Sequence, residues 1–196
     1  MIFKDFYEEG QATFAWDCDK GTNHSYIEHY YHQEFNSKRT EALNILEIGI
    51  WKGASVKLWK SWFTNANIIG IDDASGIFGN QAGDVNTIPG VQLIWDDAYS
   101  DKVAGMFEDN YFDYIIDDGP HHFDSHKLCI EKWLPKLKKG GKCVIEDVYY
   151  LSGNPTPLVG DQLTSLLDSE LYSHRFFDFR TLKGRGDDII FEITKK

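Results

Sequence analysis

The sequence predicts a three-layer α/β domain whose mostly parallel seven-stranded sheet ends in an antiparallel C-terminal hairpin. Three observations carry that expectation. Five short apolar runs alternate with amphipathic helical segments, which is the pattern of a parallel sheet covered on both faces. The pattern then changes, and the last two strand-like runs follow each other with glycines between them. Finally, 196 residues with 42% hydrophobic and 26% charged side chains match one soluble globular domain.

The elements follow in order. The first 40 residues hold nine aromatics (Phe3, Phe6, Tyr7, Phe14, Trp16, Tyr26, Tyr30, Tyr31, Phe35) and little strand pattern. They read as a helical segment, 1–40, packed as a lid over one edge or mouth of a domain spanning 41–196. The apolar runs 44–48, 67–71, 91–95, 114–117 and 142–146 have the length and β-branched content of strands buried on both faces. Between them, 54–63 shows an apolar side of Val56, Leu58, Trp59, Trp62 and Phe63. Residues 125–137 do the same with Leu128, Ile130, Trp133, Leu134 and Leu137. Residues 149–160 form a turn-rich loop, expected to lie over an acceptor molecule. Strands at 174–180 and 188–194 are expected to join through a tight turn in the LKGRGD stretch. The Arg185-Gly186-Asp187 tripeptide there is read as chance.

Charge narrows the function. Thirty-one acidic residues against 20 basic ones give a net charge of −11, which opposes phosphate backbones and anionic lipid surfaces. Lysines cluster only within 136–142, so neither nucleic acid nor membrane is an expected partner. Nothing approaches the ~20 apolar residues of a membrane span, and the acidic start MIFKDFYEEG does not read as a signal peptide. Cys18, Cys129 and Cys143 are too few and too widely spaced for a disulfide framework or zinc knuckle, which implies reduced thiols and a cytoplasmic location. A small-molecule partner is expected; the oligomeric state, homo-oligomer included, stays open.

In an open parallel sheet ligands bind beyond the carboxyl ends of the strands. After the first run comes Glu47-Ile-Gly49-Ile-Trp51-Lys-Gly53, a turn in which Gly49 allows close backbone approach and Gly53 opens a helix. The second run ends in Asp72-Asp73, where a carboxylate suits a ribose diol. The third ends in Asp96-Asp97-Ala98, where one suits an adenine amino group. Any one of these is equally a plain turn or a helix cap; three at successive strand ends point to an adenosine-containing cofactor. A dinucleotide wants G-x-G-x-x-G, and Trp51 fills the middle glycine position. S-adenosylmethionine carries no phosphate and suits the turn better.

The fourth run leads into Asp117-Asp118-Gly119-Pro120-His121-His122 and the fifth into Glu146-Asp147. Asp118, Glu146 and Asp147 would meet at adjacent strand ends, where three carboxylates repel unless a cation joins them. Oxygen-only ligands suit Mg²⁺, Mn²⁺ or Ca²⁺. The alternative is that Asp118 caps the next helix while the other two pair with surface lysines. His121, in the same loop, is placed to act as a general base beside Asp118, a role His122 could take instead. His122 and His126 are four apart but lack the glutamate of H-E-x-x-H, and are expected on a helix surface.

With these pieces in place, the chain resembles class I S-adenosylmethionine-dependent methyltransferases, and among them the metal-dependent sugar O-methyltransferases of the macrolide and rhamnosyl type. The carrying segments are DKGTNHSY (19–26), ILEIGIWKGASVKLW (45–59), GIDD (70–73), IIDDGPHH (115–122) and GGKCVIEDV (140–148), so the resemblance runs from residue 19 to the C-terminus. It implies a Rossmann-like fold and O-methylation of a sugar hydroxyl. It also implies Mg²⁺ (or Mn²⁺) on Asp118, Glu146 and Asp147, His121 as base with Asp118 beside it in catalysis, and Gly49, Asp72 and Asp97 in the S-adenosylmethionine site. Glu47, Gly53, Ala98 and Asp117 complete the expected cofactor-binding set. The segment with Lys20, His24 and Tyr26 is expected to fold over the cofactor. Pro120 stands where the family usually has serine, His122 is an extra candidate base, and the additional N-terminal domain of many relatives is not expected. Rival readings are an NAD(P)-dependent oxidoreductase, a non-catalytic S-adenosylmethionine-binding protein, and an enzyme for a catechol-like diol.

Overall fold

The strand-forming runs pair as their burial demands. In the computed structural model, which describes residues 1–14, 18–75, 90–148 and 158–196, β1 (Asn44–Ile48), β2 (Asn67–Asp72), β3 (Val91–Trp95), β4 (Phe112–Asp117) and β5 (Leu137–Ile145) run parallel. They are followed by β6 (Tyr172–Asp178) and β7 (Ile189–Lys195), with β7 antiparallel to both β5 and β6. The order is β3-β2-β1-β4-β5-β7-β6, so the order in which successive strands are added reverses between β1 and β4, which remain parallel. Crossovers leave β1 and β4 toward opposite sides, which opens a crevice at their carboxyl ends. The expected α/β class, the parallel strands and the C-terminal antiparallel pair are all present.

Successive strand residues face opposite sides. Ile45, Ile68, Ile116 and Val144 join one core, while Leu46, Ile69, Ile115 and Cys143 join the other. The second face is covered by α5 (Asp101–Ala104), α6 (Phe123–Trp133) and α7 (Leu158–Ser165). Its partner is covered by α4 (Ala54–Trp62), α1 (Phe3–Phe14), α2 (Asp19–Thr22), a π-helical turn (Ile27–Tyr31) and α3 (His32–Phe35). Phe3, Tyr7, Tyr26, Tyr30, Tyr31 and Phe35 therefore pack on a face of the sheet rather than over its edge; Trp16 and the Phe14 side chain lie outside the described residues. Phe3, Tyr31 and Phe35 surround the fully buried Trp59 with ring centroids 4.9–6.2 Å apart. Each such ring removes a large apolar area from water, which binds this segment into the same core as the strands.

Three local expectations change. Pro135, inside the 3₁₀ turn Leu134–Lys136, ends α6 at Trp133, because proline supplies no amide to a continuing helix; Leu137 then starts β5 instead of ending the helix. Between β6 and β7 a helical turn, α8 (Arg180–Lys183), replaces the tight turn; Asp178 accepts from the Arg180 amide at its start, and Gly184 (φ 71°) closes it. The loop read over residues 149–160 falls largely outside the described residues. Among the described residues no helix is long and apolar enough to cross a membrane, and all three cysteines are free and buried.

Candidate active site

The crevice holds a cavity of about 630 Å³ lined by, among others, Gly49, Trp51, Asp72, Tyr99, Asp118 and His121. Its first wall is the turn after β1, where Gly49, Trp51 and Gly53 all have positive φ (83°, 45° and 75°). Left-handed backbone is unfavourable for a bulky residue such as tryptophan. Here it is held by Asp72, whose Oδ2 accepts from the amides of Ile50 (2.7 Å) and Trp51 (2.9 Å). A Cβ on Gly49 would collide with the Asp118 carbonyl. The close approach that requires glycine is thus made by the loop after β4, and Asp118 N donates to Ile48 O at 2.9 Å.

Asp97 and Ala98 also line the cavity, whereas Glu47, Gly53 and Asp117, expected to touch a cofactor, do not. Glu47 is fully buried and accepts from Trp59 Nε1 at 3.0 Å; burial pushes its carboxyl up to about 7, against the pull of Lys20. Asp117, the last residue of β4, accepts from the Tyr99 hydroxyl at 2.6 Å, and burial raises it to about 6. Tyr99, which the sequence reading did not single out, presents that pair to the cavity. Gly53 is the N-cap of α4.

The acidic groups at the ends of β4 and β5 are buried or half-buried, not surface partners of lysines. Their cation is internal. Lys20, 1% exposed, places Nζ 2.5 Å from Asp118 Oδ2, 2.5 Å from Glu146 Oε2 and 3.3 Å from Glu47 Oε1. Burial alone would lower its pKa; the carboxylates of Asp118, Glu146 and Glu47 outweigh that and raise it. Tyr31 donates to Glu146 Oε1, so both Glu146 oxygens are engaged. Asp147 (φ 51°) accepts on Oδ1 from Tyr26 at 2.7 Å, with His24 Nδ1 3.3 Å away. Burial, reinforced by the Asp118 charge, lifts the Asp147 carboxyl to about 7.

His121 (φ 57°) completes the cluster. Its Nε2 is 3.7 Å from Asp118 Oδ1 and 3.8 Å from Asp147 Oδ2. One donor atom from each of Asp118, His121 and Asp147 lies within 4.8 Å of the others. The geometry fits a hard divalent cation, because Asp118 and Asp147 each tie one oxygen to the protein and turn the other toward His121. Glu146, the third expected ligand, is committed to Lys20 and Tyr31. A second three-donor group, His24, Asp147 and Asp187, shares Asp147, but Asp187 is held by Arg185 at 3.0 and 2.8 Å.

Asp118 does not cap α6. The His122 backbone does, its amide and carbonyl both bonded to the Ser125 hydroxyl. His126 is not on a helix surface: it is 2% exposed, its Nδ1 has no partner, and burial lowers its pKa to about 4. A folded pKa below the unfolded ~6.5 means that its contribution is present above pH 6.5 and lost as pH falls toward 4, by roughly 3 kcal/mol. Urea unfolding across this range should show a His126→Leu variant losing less stability on acidification than the wild type; parallel curves would contradict the shift.

The fold is that of class I methyltransferases, an α/β architecture defined by this strand order and this crevice. A family model described as a methyltransferase domain matches residues 46–148, and the chain belongs to that family. It is 30% identical over 127 residues to mycinamicin VI 2''-O-methyltransferase of Micromonospora griseorubida, covering 61% of this chain and 31% of that protein. It is 30% identical over 147 residues to L-olivosyl-oleandolide 3-O-methyltransferase of Streptomyces antibioticus, covering 71% and 36%. The chain thus spans about a third of the length of these curated relatives. Among solved structures, MycE methyltransferase from the mycinamycin biosynthetic pathway, in complex with Mg, SAH and mycinamycin VI, superimposes with a TM-score of 0.69 at 21% identity, over 100% of this chain and 54% of that one. Fibrillarin of Aeropyrum pernix, with natively bound S-adenosyl-L-methionine, gives 0.62 at 15% identity, over 80% and 68%.

Proposed function

We propose that this chain is an S-adenosylmethionine-dependent O-methyltransferase that uses Mg²⁺ or Mn²⁺ and methylates a hydroxyl of a sugar or another small-molecule diol. The observation that carries this reading is that one cavity joins the glycine turn after β1 to Asp118 and His121. A methyl donor and an acceptor hydroxyl could therefore occupy adjoining positions. The named activities of the relatives, 2''-O-methylation of mycinamicin VI and 3-O-methylation of L-olivosyl-oleandolide, agree with it. Trp51, 45% exposed at the turn, stands where a pyrophosphate would need bare backbone, which disfavours a nicotinamide cofactor.

In this mechanism Asp72 shapes the turn against the donor, and Asp97 faces the adenosine end. Asp118 Oδ1 and Asp147 Oδ2 would hold the divalent cation, which when bound lowers the pKa of a ligated acceptor hydroxyl. His121 Nε2 takes the hydroxyl proton, and the neighbouring Asp118 carboxylate stabilises the imidazolium that results. The freed oxygen attacks the donor methyl carbon in line as its bond to the sulfonium sulfur breaks and S-adenosylhomocysteine leaves as a neutral thioether; alignment by the cavity walls supplies much of the rate. Lys20, Tyr26 and Tyr31 keep the carboxylates in place; the Tyr26 phenol stays protonated, since burial and the Asp147 charge raise its pKa.

Calorimetry with S-adenosylhomocysteine, together with methyl-transfer assays on monosaccharide and catechol acceptors, tests the proposal. Donor binding should survive EDTA, while transfer should vanish and return with Mg²⁺. Full transfer in EDTA would remove the metal from the mechanism, and absence of donor binding would end the assignment.

A further inference from the structure

Lys20 lies inside the cluster that the proposed reaction uses, yet no step of that reaction calls for a fixed cation there. It comes from α2, 98 and 126 positions of sequence away from Asp118 and Glu146, and its ammonium has almost no contact with water. Four carboxylates converge at this point: Glu47, Asp118, Glu146 and Asp147. Lys20 is within 3.3 Å of three of them. A buried ammonium is retained only where such partners surround it.

Its contacts divide the oxygens. By holding Asp118 Oδ2 it leaves Oδ1 directed at His121, and by holding Glu146 Oε2 while Tyr31 takes Oε1 it withdraws Glu146 from that side. Tyr26 does for Asp147 what Lys20 does for Asp118. Two oxygens then point toward His121 without any metal being needed to orient them.

We propose that Lys20 is a positioning residue that serves as a built-in cation: it pre-sets Asp118 as a ligand and, by its charge, keeps a divalent ion at this site weakly held and exchangeable. The inference rests on the reading that Asp118 and Asp147 bind a divalent ion. A fixed positive charge that shares Asp118 with the incoming ion opposes it through a medium of low dielectric, so removing that charge strengthens binding even though one ligand is less well oriented.

The test is Mn²⁺ affinity, read by calorimetry and electron paramagnetic resonance, on the full chain as wild type, Lys20→Met and Lys20→Arg. Lys20→Met should bind Mn²⁺ about tenfold more tightly or better, whereas Lys20→Arg, which keeps the charge, should stay within about threefold of wild type. Methyl transfer should fall in Lys20→Met and be largely restored in Lys20→Arg. A Lys20→Met variant that folds only when Mn²⁺ is added also supports the proposal, because the metal then replaces the ammonium. If wild type binds Mn²⁺ and Lys20→Met binds it equally or more weakly, the proposal fails while the metal reading stands. Should wild type bind no Mn²⁺, both fail. Where Lys20→Met does not fold under any condition, the wild-type Lys20 ammonium ¹⁵N resonance, assigned by its loss in Lys20→Arg, decides: it should shift on Mg²⁺ addition, and an unmoved signal overturns the proposal.

Discussion

Asp118→Asn is expected to lower metal-stimulated methyl transfer roughly 10³-fold, the equivalent of about 4 kcal/mol of transition-state stabilisation. The residue has three connections, and this substitution disturbs the two made by its side chain. Its Oδ2 is 2.5 Å from Lys20, its Oδ1 faces His121 at 3.7 Å, and its backbone amide closes the loop onto β1. Asparagine keeps the shape and the backbone bond but removes the charge from both the proposed metal site and the Lys20 pair. Mn²⁺ affinity should therefore fall together with kcat, while S-adenosylhomocysteine affinity changes little. A variant that retains more than about a tenth of wild-type turnover with unchanged metal affinity would remove Asp118 from the ligand set.

His121→Ala should reduce turnover by roughly 10²–10⁴-fold, the range for loss of a positioned general base. The imidazole is half-buried, its Nε2 lies between two carboxylate oxygens, and its Nδ1 has no hydrogen-bond partner among the described residues. Metal affinity separates two roles that this geometry allows. A base leaves the Mn²⁺ affinity of the alanine variant nearly unchanged, whereas a ligand takes the affinity down with the rate. His122→Ala provides the contrast, because its backbone, not its imidazole, caps α6. An unaltered rate in His121→Ala, with a loss in His122→Ala, would transfer the role to the neighbour.

Much of this architecture was legible from residue order. Apolar runs such as Asn44–Ile48 are buried on both faces, and the alternation of strands with amphipathic helices implied the parallel sheet. Positions after strand ends pointed to the crevice, and Gly49, Asp72, Asp97, Ala98, Asp118 and His121 do line one cavity. Two of the expected contacts, Glu47 and Asp117, lie behind its wall, because strand-end side chains alternate in direction and these two face the interior. His126 went inside for a similar reason: nothing in its i, i+4 spacing with His122 indicates which helix face meets the core.

The fold class, the parallel strand runs and the placement of acidic groups at strand ends are local properties. Hydrophobic period and turn chemistry act over a few residues, and the chain order alone determined them. Which oxygen of each carboxylate remains free is a different kind of fact. Lys20 reaches Asp118 and Glu146 across 98 and 126 positions of sequence, and Tyr26 reaches Asp147 across 121. Such pairings exist only once the aromatic N-terminal segment has packed onto the sheet. Only tertiary structure could decide that Glu146 serves a buried lysine while Asp118 and Asp147 turn toward His121, because buried charges must find partners wherever the packed chain brings them.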